Sequence, residues 1–278
     1  MSRQGKEGML RDRRSCYNEV MSHGESFANR LKNAAHDAAF AQFAPEFHRG
    51  GFPAMAHAMF RALHVEPIYL AGRRPEFKRM REALRTESGL VIANHPGVVD
   101  IPAVFQGLNR KDVRILASEE NANQARRILG SDAFLPVSRD ISRLRPVMEE
   151  AQNMMHDGGI VFLFPSGGRV MSTGAEAPFQ SGFRYLLRDL QSDQMVYAFH
   201  IYPEDVQQMI PRLSRSKLEA EMIARRVGIP FPNSSERHSI RIDEEYTRAG
   251  WWQDRLRGVE AQRANQLATD AYNGLFGV

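Results

Sequence analysis

Leu90-Val91-Ile92-Ala93-Asn94-His95-Pro96-Gly97-Val98-Val99-Asp100 carries the reading of the whole chain. Four apolar residues introduced by Gly89 are too few for a helix and suit a buried strand. The run ends in Asn-His-Pro-Gly, which is turn chemistry. Ile101 to Leu108 follows as an apolar helix. A second stretch, Phe164-Pro165-Ser166-Gly167-Gly168-Arg169, closes another apolar run, Ile160 to Phe164.

Working outward, the same alternation recurs. Val65 to Leu70, Arg114 to Ala117, Phe134 to Val137, Met195 to Ile201 and Ser239 to Ile242 read as strands. Pro136 suits an edge strand or a strand end. Helices are expected over Pro75 to Arg85, Asn121 to Leu129 with Gly130 as its stop, about Asp140 to Met155 before Gly158-Gly159, Phe179 to Leu190, Leu213 to Arg226, and from Trp251 onward. Ser138 or Asp140 is the expected cap of the third of these. Strands alternating with helices predict an α/β domain with a largely parallel central sheet flanked by helices. Its expected extent is residues 65–278. Residues 1–64 are expected to form an N-terminal helical segment, its first twenty or so expected to be poorly ordered. Pro45 and Gly50-Gly51 break that segment, and Pro53 opens a second helix with Met55, Met59, Phe60 and Leu63 on one side. The stripe is either core or a lipid-facing surface.

The chain has 278 residues, 42% hydrophobic and 25% charged, enough to bury a sizeable core. One cysteine, Cys16, excludes an intrachain disulfide. The net charge of +4 is dispersed, without the basic blocks or aromatic-basic patterns of a nucleic-acid binder. No window approaches the roughly 18 apolar residues that span a bilayer. Met1 to Arg14 is polar and basic with no apolar region behind it. A cytoplasmic protein is expected, meeting the inner face of the membrane only peripherally. Arg212, Arg215, Lys217, Arg225 and Arg226 would face anionic headgroups or an acidic carrier protein, or simply solvent, since Glu219 and Glu221 interrupt them.

In an open α/β sheet, ligands gather at the carboxyl ends of strands. His95 is expected there, with Pro96 opening the next helix and Asp100 a little over one turn on. The Asp could accept from one imidazole nitrogen and leave the other for a substrate proton. Alternatively, His95 bonds backbone and Asp100 is a first-turn acid favoured by the helix dipole. Gly167 and Gly168 permit close backbone approach, and Arg169 and Arg139 present forks suited to phosphate. In a parallel sheet all three points share one edge.

Together these segments resemble the glycerophosphate and lysophospholipid acyltransferases. Asn94-His95-Pro96-Gly97-Val98-Val99-Asp100 is similar to that family's first block and Phe134-Leu135-Pro136-Val137-Ser138-Arg139 to its second. Phe164-Pro165-Ser166-Gly167-Gly168-Arg169 is similar to its third, and Phe179-Gln180-Ser181-Gly182-Phe183 to the segment downstream. The resemblance covers roughly residues 65 to 245. It implies transfer of a fatty acyl group from an acyl-CoA or acyl-carrier-protein thioester to the hydroxyl of a glycerol-3-phosphate-type or lysophospholipid acceptor. His95 would be the base and Asp100 its partner. Arg139, Ser166, Gly167, Gly168 and Arg169 would hold the acceptor. No metal and no cofactor beyond the thioester are implied. Ser166 stands where the family usually has Glu, a form similar to the soluble plastid-type glycerol-3-phosphate acyltransferases. The other reading of that Ser is a non-enzymatic lipid- or carrier-binding protein of the same fold. A Ser166 nucleophile is disfavoured because Pro165 replaces the Gly of a nucleophile elbow. His200, in Val196 to Pro203, is expected as a core or strand-edge residue.

Overall fold

The computed structural model describes residues 41–71, 82–83, 85–96, 99–138, 140–167, 178–209 and 238–278. Cys16, the start of the N-terminal helical segment, most of the expected helix Pro75 to Arg85 and the basic helix Leu213 to Arg226 lie outside them. In chain order the elements are α1 (Ala44–Leu63), β1 (Val65–Tyr69), β2 (Gly89–Ala93), α2 (Asp100–Leu108), β3 (Val113–Ser118), α3 (Glu119–Leu129), β4 (Phe134–Val137) and α4 (Ile141–His156). Then come β5 (Ile160–Leu163), α5 (Ser181–Arg188), β6 (Met195–Ile201), α6 (Pro203–Met209), β7 (His238–Arg248), α7 (Ala249–Leu256) and α8 (Ala261–Phe276).

Seven strands form one sheet in the order β1-β7-β6-β2-β5-β3-β4. Every neighbouring pair is parallel except β6 with β7. The central strands β2, β5 and β6 are buried throughout, as a sheet covered on both faces requires. Alternation decides the two faces. Val91 and Ala93 point into a core with Phe52, Met55, Met59 and Phe60 of α1 and Val104 and Phe105 of α2. Leu90 and Ile92 point into a second core with Met148 and Met155 of α4, Phe183 and Leu186 of α5, Trp252 of α7 and Tyr272 of α8. The methionine stripe of α1 is therefore core. The expected break in α1 is a kink at Gly51, whose φ of 71° lies in the left-handed region.

β4 is an edge strand, and Pro136 lies within it opposite Ala117. Gly130 (φ 58°) terminates α3, and Asp140 caps α4 by accepting from the Ser142 amide at 2.9 Å. These caps satisfy groups that the helices leave unpaired. β7 is much longer than the four residues expected. Its first part pairs parallel with β1, and its second, through Asp243, Glu244 and Glu245, pairs antiparallel with β6. That acidic run has poor strand propensity; the β6 ladder holds it extended.

At the amino edge of the sheet, buried Arg110 ties three strand approaches together. Its Nε donates to Asp112 Oδ1 at 2.8 Å, and Nη atoms reach the Glu87 carbonyl at 2.5 Å and the Gly158 carbonyl at 3.0 Å. The Arg110 hydrogen bond holds the Asp112 carboxyl below its ordinary range. Glu87, Asp112 and Gly158 precede β2, β3 and β5, so this cluster sets the register whose other end is the carboxyl edge.

Candidate active site

β2, β5, β3 and β4 run the same way, so their carboxyl ends share one edge. His95 and Asp100 meet there. His95 Nδ1 lies 2.5 Å from Asp100 Oδ2, while Asp100 Oδ1 accepts from the Ile101 amide at 2.8 Å. Asp100 is 1% exposed and His95 19%. A carboxylate only accepts, so Nδ1 carries the proton and Nε2 is the nitrogen left for another partner. The spacing arises differently from expectation. α2 begins at Asp100 rather than Pro96, and the described residues between the two, Pro96 and Val99, lie outside the helix. Asp100 is thus both a first-turn acid and the partner of His95.

Phe164 links the two strand ends. Its ring stacks on His95 with centroids 4.0 Å apart and planes 15° from parallel, and it meets Phe162 edge-on at 4.8 Å. The imidazole is therefore held in plane by Asp100 and across its face by Phe164. Two residues on, Ser166 and Gly167 lie in a turn closed by the Gly167 amide donating to the Phe164 carbonyl at 2.9 Å. Gly167 has φ 71°, which a side chain would strain. The Gln180 amide, donating to the Pro165 carbonyl at 2.7 Å, ties the downstream segment to this turn.

Of the expected acceptor-binding residues, Ser166 and Gly167 stand at this edge, Ser166 partly buried and Gly167 exposed. Arg139, Gly168 and Arg169 lie outside the described residues; Ser138 and Asp140, flanking Arg139, follow β4. Arg241 belongs to another cluster, because Asp205 takes its Nε at 2.9 Å and Glu204 an Nη at 2.7 Å.

Asn94 and Phe164 were not among the expected site residues. Asn94 is 3% exposed. Its Nδ2 donates to the Ile201 carbonyl and its Oδ1 accepts from the Ile201 amide, both at 2.8 Å. A polar residue directly closing an apolar run was the available signal for Asn94, and an aromatic beside Pro165 for Phe164. Neither signal names its partner. His200 is 4% exposed, as expected of a core residue. Phe276 stacks on it at 5.3 Å and Tyr202 meets it edge-on at 5.1 Å. Burial pushes its pKa down to about 4, opposed by Glu204 and Asp243.

A groove of about 590 Å³ between α5 and α7, lined by Arg184, Arg188, Leu256 and Arg257, takes no wall from these residues. Among the described residues no helix is long and apolar enough to cross a membrane.

Residues 74–205 match the family model described as Acyltransferase, a segment that holds His95, Asp100 and the Phe164–Gly167 turn. Among solved structures, the 1-acyl-sn-glycerophosphate (LPA) acyltransferase PlsC from Thermotoga maritima is similar to this chain. Identity is 13% and the TM-score 0.49, with 89% of this chain and 96% of that one covered. Among curated proteins no relative matches the chain.

Proposed function

We propose that this protein, whose residues 74–205 match the Acyltransferase family model, moves a fatty acyl group from an acyl-CoA or acyl-carrier-protein thioester to a hydroxyl of a phosphorylated glycerol-type or lysophospholipid acceptor. The observation that carries this reading is the 2.5 Å contact between His95 Nδ1 and the buried carboxylate of Asp100. Asp100 holds the tautomer in which Nε2 can accept a proton. As the acceptor hydroxyl attacks the thioester carbonyl, its proton passes to Nε2 and the new C–O bond forms. The C–S bond then breaks, and the imidazolium returns the proton to the departing thiolate. Asp100 stabilises the imidazolium between these steps. No nucleophile from the protein is required, and no metal or further cofactor enters the proposal.

The acceptor's anionic end is assigned to Arg139 and the stretch Ser166-Gly167-Gly168-Arg169. Arginine forks and backbone amides at a glycine turn both suit phosphate. The test is thiol release with acyl-CoA and acyl-carrier protein, offered glycerol-3-phosphate, lysophosphatidate and a phosphate-free lyso-lipid side by side. Losing a charge-assisted contact set to phosphate costs on the order of 2 kcal/mol, so the phosphate-free acceptor is expected to react at least about tenfold more slowly. Equal rates on all three would remove the phosphate from the reading, and no transfer to any of them would remove the activity.

The protein is proposed to act in the cytoplasm, meeting anionic membrane peripherally through the basic residues between Arg212 and Arg226. Retention on anionic vesicles at low salt, with release at high salt, is expected of such a contact. A chain that stays in the supernatant at low salt does not use it.

A further inference from the structure

The residue next to His95 is anchored from the far end of the chain. Tyr272, on α8 and outside the acyltransferase-family segment, is fully buried. Its hydroxyl accepts from the Asn94 amide at 3.1 Å and donates to the Phe199 carbonyl at 2.6 Å. The β2–β6 ladder ends at the pair Ala93–Phe199, so this hydroxyl bridges the two strands where pairing stops. Asn94 is thus held at three points, by Tyr272 at its amide and by Ile201 at both ends of its side-chain amide.

The same helix reaches the second strand end. Thr269, one turn before Tyr272, accepts from the Phe179 amide at 2.8 Å. Gln180, the next residue, bonds the Pro165 carbonyl of the turn that carries Ser166 and Gly167. Residues three apart share a helix face, so one side of α8 holds both segments that form the site.

We infer that Tyr272 is a positioning residue for His95: its hydroxyl fixes the backbone from which the base projects, and α8 sets the separation between the base and the Ser166–Gly167 turn. The inference rests on the proposed acyl transfer for its kinetic consequence and on the geometry alone for its structural one. Nothing in the tail's sequence marks it. The hydroxyl matters because the base must stand within a fraction of an ångström of the attacking oxygen's proton.

The test is Tyr272→Phe, which keeps the ring against Phe179 and Phe276 and removes only the bridge. A fall of about ten- to a hundredfold in kcat is expected, with KM for the thioester unchanged. The low-field proton resonance of His95 Nδ1–H, identified by its absence in His95→Ala, is expected to shift or broaden in Tyr272→Phe. Leu275→Ala is the control: it removes packing from the last turn of the same helix while keeping Tyr272, Phe276 and the bridge to Asn94, and should lower thermal stability while leaving kcat and the resonance in place. Wild-type kcat with an unmoved resonance in Tyr272→Phe would overturn the inference. So would equal losses in both variants. The resonance needs no substrate, so its shift still supports the positioning role if no acyl transfer is found, and its constancy still refutes it.

Discussion

His95→Ala is expected to lower the rate of acyl transfer by about 10³-fold, the middle of the range for a positioned general base. That corresponds to roughly 4 kcal/mol of transition-state stabilisation. The fold should survive. His95 is at the strand end, partly exposed, and its ring contributes one face to Phe164 and one hydrogen bond to Asp100. Near-ultraviolet circular dichroism and the melting temperature would check this alongside thiol release. A folded His95→Ala protein that turns over at the wild-type rate removes the proposed mechanism.

Asp100→Asn makes the same point by a separate route. The side chain is isosteric, and its Oδ1 can keep the bond from the Ile101 amide. Its NH₂ then faces His95 Nδ1, where the carboxylate oxygen stood. Two donors cannot meet, so the imidazole must present Nδ1 as the acceptor and carry its proton on Nε2. That tautomer has no lone pair for the acceptor hydroxyl. Loss comparable to His95→Ala is expected, with far less damage to packing than Asp100→Ala would cause in a site only 1% exposed. The double variant should be little worse than either single one, because the two residues act as a unit.

How far this arrangement could be foreseen depended on the range of the interactions. The strand Leu90 to Ala93, its burial and the shared carboxyl edge follow from local apolar runs and the alternation of strands with helices. The His95–Asp100 pairing was one of two open readings, because five positions of separation suit a helix-start acid as well as a partner. The apolar helix was expected over Ile101 to Leu108, close to where it lies, but Pro96 was expected to open it. Pro is favourable at a first helical position, but α2 begins at Asp100, where the carboxylate bonds the next amide. The length of β7 was missed because Asp243-Glu244-Glu245 is a poor strand by composition and is held by β6. The clamp on Asn94 was out of reach altogether. Tyr272 is 178 positions away in sequence and lies on a tail with no motif. Long-range pairing of polar groups leaves no local period, so only the folded chain brings these atoms together.

Acid should destabilise this protein through His200 more than through its ordinary exposed histidines. His200 is the penultimate residue of β6, beside the Ile201 peptide that clamps Asn94. Its ring is packed against Phe276, Tyr272 and Tyr202, and its Nδ1 has no hydrogen-bond partner among the described residues. Burial lowers its pKa from 6.5 to about 4, although Glu204 and Asp243 pull the other way. Between those values the unfolded chain binds a proton that the folded chain refuses. Stability is therefore full above about pH 6.5 and falls as pH drops toward 4, by about 1.4 kcal/mol per pH unit and roughly 3 kcal/mol in all. Other groups also titrate in this window, so the comparison must be with His200→Leu, which keeps an apolar side chain in the pocket. Urea unfolding at pH 7.5 and at pH 4.5 should give a loss about 2–3 kcal/mol larger for the wild type than for His200→Leu. Parallel pH dependences in the two proteins would show that the pocket admits the charged ring at little cost. The expected divergence would also locate the weak point, since a proton forced onto His200 strains the strand end from which Asn94 and His95 are held.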